Sequence, residues 1–136
     1  MENGKSATAA ADQPRSFQDL DCWKKCREIR RLIFDLTKKF PKDELFALTQ
    51  NTRRAAYSTT HNIAEGYGRF YYQENIQFCR HSRGSLDETL DHMITAYDEE
   101  YITKEILTEI NFDYKQCLFQ LNSYIKFLKT AKQGTK

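Results

Sequence analysis

The side chains able to do covalent or metal chemistry in this chain are few and scattered. Its three histidines are His61, His81 and His92, and its four cysteines are Cys22, Cys26, Cys79 and Cys117. A zinc site needs Cys or His ligands that converge in space, and a hydrolytic zinc helix carries His-Glu-x-x-His. No histidine stands in that pattern. Cys22 and Cys26 lie one helical turn apart on an apolar face, where reduced thiols pack as small hydrophobes. Cys79 and His81 are two positions apart, so on a helix they point in different directions. No metal or cofactor is expected. There is no phosphate-cradling glycine loop and no Gly-x-Ser-x-Gly elbow. Glu65 and Glu88 form the only acid/base candidate, and would need to be buried and close together to act. The expectation is that the protein is not an enzyme.

The remaining chemistry is electrostatic. Lys24, Arg27, Arg31 and Lys38 fall on one face of the first predicted helix, and Arg30, Arg53 and Arg54 join them. Cations in a row neutralise phosphates and release counterions, so the stripe is a candidate site for RNA or DNA. A solvated helix face is the plainer reading of such a run. The net charge of +2 does not by itself imply a nucleic-acid partner, but its distribution is uneven. Basic residues dominate from Arg15 to Arg83, acids from Asp87 to Asp113, and lysines return at Lys126, Lys129, Lys132 and Lys136. Such asymmetry fits a basic patch facing a partner, or subunits meeting through opposite charge.

The elements that must position these residues follow from periodicity. At 136 residues the chain is one domain. Residues 1–16 carry no apolar run and read as a disordered tail, 17–131 as the folded domain, and 132–136 as a flexible end. No stretch is long and apolar enough to span a bilayer, and the chain is expected in the cytoplasm. Cys22, Cys26, Ile29, Ile33, Leu36 and Phe40 predict a helix from about Leu20 to Lys39, capped by Asp19 or Asp21 and ended by Pro41. A second helix is expected from about Asp43, with Leu45, Leu48, Thr52, Ala55, Thr59 and Ile63 inward. A third starts after Tyr71-Tyr72 and runs to about Tyr97, and a fourth begins near Thr103, with Ile106, Ile110, Cys117, Leu121, Tyr124 and Leu128 inward. Short connections between long helices favour antiparallel neighbours. The fold class is therefore all-α, an antiparallel up-down-up-down four-helix bundle.

Phe112, Tyr114, Phe119, Ile125 and Phe127, with Phe70, Tyr71, Tyr72 and Phe78, exceed what one buried stripe explains. They predict a second buried surface, hence a homo-oligomer. Gly84 lies inside the third helix at a cost of about 1 kcal/mol relative to Ala, which predicts a close backbone approach there. Folding the sequence at Phe70 sets Ala56 opposite Ser85 and Asn62 opposite Cys79.

The stretch Asn62-Ile63-Ala64-Glu65-Gly66-Tyr67-Gly68-Arg69 is the most distinctive text in the chain. Glu65 and Arg69 sit at i,i+4 and should pair, while Gly66 and Gly68 are good helix enders. With Arg53-Arg54-Ala55-Ala56 before it and Gly84-Ser85-Leu86-x-Glu88 after it, the stretch resembles the four-helix bundle proteins named after 23S ribosomal RNA intervening sequences. Phe17-x-Asp19-Leu20-x-x-Trp23, Leu36-Thr37 and Phe40-Pro41-x-x-Glu44 fit the same pattern in order, so the resemblance covers roughly 17–128. His81-Ser82-Arg83 is more polar than that pattern, and Thr89 stands where leucine is expected. The resemblance implies a ring-shaped homopentamer associated with ribosomal RNA insertions. It also implies distant relatives that serve as accessory subunits bringing nucleic acid to a reverse transcriptase. A scaffold for another protein, without nucleic-acid contact, is the alternative.

Overall fold

The structure is a computed structural model that describes residues 16–134, with side chains described as far as Ala131. Most of the expected tails, 1–15 and the side chains of 132–136, lie outside the described residues. Four α-helices account for nearly all the rest: α1 (Asp21–Thr37), α2 (Gln50–Tyr67), α3 (Tyr72–Asp98) and α4 (Lys104–Gly134). No strand occurs among the described residues. Ser16 caps the first turn, and α4 extends to Gly134.

α1 forms where the period was clearest. Cys22, Cys26, Ile29 and Ile33 are buried, and Phe40 just beyond the helix end is buried too. Its start differs from expectation, because neither Asp19 nor Asp21 caps it. A 3-10 turn at Phe17–Asp19 precedes the helix, and Ser16 Oγ accepts from the Gln18 N–H at 3.1 Å to cap that turn. Leu20 then occupies the cap position of α1 with no side-chain bond. Asp21 sits in the first turn, where a carboxylate favours the helix dipole.

The entry to α2 also departs from a simple helix. A 3-10 turn (Lys42–Glu44) leads into a π-helical turn (Leu45–Thr49) before α2 proper begins. Glu44, not Asp43, supplies the cap, its carboxylate accepting from the Leu48 N–H at 3.4 Å. A π-turn packs more residues per turn and shifts the phase of the side chains. Leu45, expected inward, is consequently 48% exposed.

Helix neighbours are α1 with α2 and α4, and α3 with α2 and α4. Contacts between α2 and α3 pair in reversed chain order. Ser82 Oγ donates to the Thr59 carbonyl at 2.7 Å, and the hydroxyls of Ser58 and Ser85 share a hydrogen bond of 2.8 Å. This is the register expected from folding the sequence at Phe70. The seam is lined by small residues, so the two backbones lie close. Their hydroxyls are satisfied mostly by main-chain carbonyls: Thr59 donates to Ala56 and Thr89 to Ser85. Thr89 thereby fits at 1% exposure where a leucine was expected.

The point of closest approach is Gly66, not Gly84. A Cβ on Gly66 would stand 2.7 Å from Asn75 Oδ1 and 2.8 Å from Phe78 Cβ. A Cβ on Gly84 would meet nothing within 4 Å, because Gly84 faces solvent. Gly66 is also not the end of its helix. α2 runs on to Tyr67, and Gly68 caps it in ordinary right-handed conformation, φ −77°. Beyond it Arg69 pairs with Glu65 at 2.9 Å and lays its guanidinium 4.8 Å from the Phe78 ring centroid, tying the turn to α3.

The connection from α3 to α4 is locked differently. Glu100 adopts φ 65°, and the N–H groups of Glu100 and Tyr101 donate back to Tyr97 and Ala96 at 2.9 and 2.8 Å. This is the helix-ending motif usually built on glycine, and a glutamate there costs roughly 1–2 kcal/mol. Tyr101 offsets that cost by packing its ring on Phe40 and donating its hydroxyl to Glu44 at 2.8 Å. α4 opens at Thr103, whose Oγ1 accepts from the Ile106 N–H at 3.2 Å, as the sequence predicts. Ile125, counted above as surplus, is buried at 5%, and Tyr114 and Tyr72 pack half-buried against the core. Phe112, Phe119 and Phe127 remain 63%, 68% and 57% exposed.

The two glycines predict opposite outcomes for one substitution. Gly66→Ala forces a methyl against Phe78 and Asn75 and lowers stability by about 1–3 kcal/mol. Gly84→Ala adds helix propensity in open space and raises it by about 1 kcal/mol. Urea unfolding of both variants beside wild type checks the pair; a destabilised Gly84→Ala would restore the close contact first expected at that glycine.

Candidate nucleic-acid interface

The basic residues divide into two groups by what they touch. Arg30 is half-buried between α1 and α2, and its Nη1 donates to Thr60 Oγ1 at 2.8 Å. Arg53 donates from Nε to Thr37 Oγ1 at 2.8 Å and covers the Phe34 ring at 5.7 Å. These two arginines stitch α1 to α2. Arg54 is exposed and bonded to Asn51 one turn back, and Lys38 is held by Asp35 at 3.3 Å. Lys24, Arg27 and Arg31 are exposed on α1, and among the described residues no carboxylate forms an ion pair with them. Of the seven cations read from sequence, these three form the cluster most available to a polyanion.

Lys24, Arg27 and Arg31 also line a cleft of about 480 Å³ with Gln18, Trp23 and Glu28. Trp23 is half-buried, with Phe17 edge-on at 5.3 Å and the Arg27 guanidinium 5.8 Å from its ring centroid. Sequence reading placed the cations here but missed the cleft. Trp23 is the signal that could have found it, since it is the chain's one tryptophan and sits one turn before Arg27.

The groups that could do other chemistry do not assemble. Glu65 is bound to Arg69 near the end of α2, whereas Glu88 meets His92 at 3.4 Å on α3. The register sets Glu65 near Ile76, about three helical turns along α3 from Glu88. His61 stacks on Tyr57 and His81 lies edge-on to Phe78, both on the surface. Among the described residues no group of three or more His, Cys, Asp or Glu could hold a metal ion.

Asn62, Ser85 and Gly66 of the signature serve packing, Gly68 caps α2, and Gly84 faces open space. Asn62 Nδ2 donates to Ser58 O and Oγ at 2.9 and 2.8 Å, holding Ser58 against Ser85. The side chain that sequence reading missed entirely is Asn75. It is 4% exposed, donates to Tyr124 Oη at 3.0 Å, and its Oδ1 takes the Cys79 thiol at 3.6 Å. Buried polar residues carry no periodic signal, so only the proximity of Gly66 in the register pointed there.

All four cysteines are free and buried. Burial pushes the Cys79 thiol up to about 12. Burial, reinforced by nearby Cys79, also pushes Cys22 up. Contact with Cys26 and then burial push Cys117 up. The reactive form is the thiolate, so these thiols are inert while the fold is intact.

The site and fold together define an all-α, four-helix protein with a cluster of exposed cations around an aromatic cleft. The chain belongs to the 23S rRNA-intervening sequence protein family, whose profile matches residues 18–123. No curated protein matches the chain. No helix among the described residues is long and apolar enough to cross a membrane.

The buried thiols predict a kinetic outcome. A thiol reagent at mildly alkaline pH leaves the native cysteines unmodified, and adding denaturant releases fast reaction at Cys22, Cys26, Cys79 and Cys117. Rapid native modification of any of them, located by mass spectrometry, would contradict the packing described for that helix face.

Proposed function

We propose that this protein is a non-catalytic, cytoplasmic binding module that holds RNA or DNA on the exposed basic face of α1. In this reading it works as a ring-like homo-oligomer of up-down-up-down bundles. The observation that carries the reading is the group Lys24, Arg27 and Arg31, exposed on one face and bound to no carboxylate among the described residues. Cations already paired gain little from a phosphate, whereas unpaired ones release counterions fully. Membership of a family named for an insertion in ribosomal RNA supports a nucleic-acid ligand. Repetition of the patch around a ring multiplies a weak contact through effective concentration.

Changing Lys24, Arg27 and Arg31 together to Glu should abolish binding to structured RNA and DNA, with helix content by circular dichroism unchanged. Wild-type affinity should fall steeply as salt rises, with a slope of roughly one counterion per phosphate contact. Unchanged affinity in the triple variant removes the stripe from the account, leaving the second reading: a scaffold, or an accessory subunit of a reverse transcriptase or another protein, that touches no nucleic acid. Phe112, Phe119 and Phe127 on one exposed face of α4 favour association with protein. The ring reading gives a further expected outcome, a stable homo-oligomer at micromolar concentration by light scattering, a pentamer if the family resemblance holds. A monomer there would count against it.

A further inference from the structure

We infer that the cleft around Trp23 takes an unstacked base of a single-stranded nucleic acid, so that the protein prefers single strands to duplex. The inference rests on the nucleic-acid reading above and makes it specific. The cleft of about 480 Å³ has the size of a small-ligand site and could hold one nucleotide. Its lining combines a planar aromatic ring with three cations, Lys24, Arg27 and Arg31. Phosphate contacts alone would not need the indole. Single-stranded nucleic acid supplies both partners: a base whose π-face stacks on an aromatic ring, and flanking phosphates for the cations. A base inside a duplex is stacked on its neighbours and cannot present that face.

The indole is held ready for the contact. Phe17 meets it edge-on at 5.3 Å, and the 3-10 turn that carries Phe17 is capped by Ser16. Arg27 lies 5.8 Å over the same ring, and a guanidinium is itself a stacking plane for a base. The other two lining residues distinguish this cleft from a plain anion site. Glu28 would repel a bare phosphate, but its carboxylate accepts a hydrogen bond from a base amino group. Gln18 is exposed at the cleft edge and offers both a donor and an acceptor. An acidic peptide would satisfy the cations but leave the indole unused and face Glu28 unfavourably.

The chain's single tryptophan makes the site report on itself. The full-length protein is titrated with a single-stranded oligonucleotide, with the same strand annealed to its complement, and with tripolyphosphate. Indole emission and the anisotropy of an end label on the oligonucleotide are both followed. Single strand should quench Trp23 as it binds, while duplex and tripolyphosphate leave the emission unchanged. Trp23→Leu keeps an apolar side chain against Phe17 and should weaken single-strand binding about tenfold, since stacking one base is worth roughly that factor. If the label's anisotropy rises without quenching, the base is not on the indole and the inference falls, while the nucleic-acid reading stands. Equal quenching by duplex or by tripolyphosphate overturns it as well. If none of the nucleic acids binds, both readings fall. The wild-type titration decides the matter even if Trp23→Leu does not fold.

Discussion

The fold depends on how closely α2 and α3 can approach at Gly66 and Asn75. There is no room for a side chain on Gly66, since even a Cβ would fall 2.8 Å from the Cβ of Phe78. Asn75 fills the space beside it and links onward to Tyr124 on α4 and to the Cys79 thiol. An amide buried without partners costs about 1–3 kcal/mol, so this position is stable only because three helices converge on it. The price of the small-residue seam is lost apolar area, and larger side chains elsewhere supply it. Ile63, Leu86, Met93, Ile110, Leu121 and Leu128, all fully buried, form the core on either side of the seam.

That seam fixes α2, and α2 in turn decides which cations are left over. Arg30 and Arg53 are spent on Thr60 and Thr37, where they join α1 to α2. Sequence groups them with the other cations because it records charge but not what a charge touches. Their geometry assigns them to packing. The remaining cluster on α1 is smaller than the sequence implied but more sharply placed, because it surrounds a ring that Phe17 and Ser16 hold in position.

The legible part of this fold was the part governed by period. The α1 stripe, the Thr103 cap, the register of Ser58 and Thr59 against Ser82 and Ser85, and the Glu65–Arg69 pair all followed from spacing. What period could not give was any local break in it. The π-turn at Leu45–Thr49 rotated Leu45 outward, and no residue type announces such a turn. Gly84 suggests a close contact because glycine in a helix is costly, yet it faces open space. The structure offers no packing reason for it. Gly66 looks like a helix end in sequence because glycine so often is one, and Asn75 is invisible there because a lone polar residue on a helix has no periodic partner. Ile125 lies outside the stripe for the opposite reason: the buried face of α4 is wider than a single stripe.

A net charge of +2 suggests a chain with little pull on a polyanion, but a sum over the molecule is the wrong quantity here. α1 contacts α2 and α4, and α3 contacts those same two helices, so α1 and α3 stand diagonally across the core. The exposed acids Asp87, Glu88 and Asp91 lie on α3, away from Lys24, Arg27 and Arg31. A helix with its side chains is about 10 Å thick, while salt screens exposed charges beyond about 8 Å at physiological ionic strength. A phosphate at the α1 face therefore responds chiefly to the local cations and hardly to the acids of α3. The nearest counterweight is Glu28, which sits inside the cleft and shares Lys25 at 3.4 Å. In the proposed reading, this local field is what draws phosphates to the α1 face. On that reading, selectivity among such chains has to come from something other than charge, and the uncharged feature among those cations is the indole of Trp23.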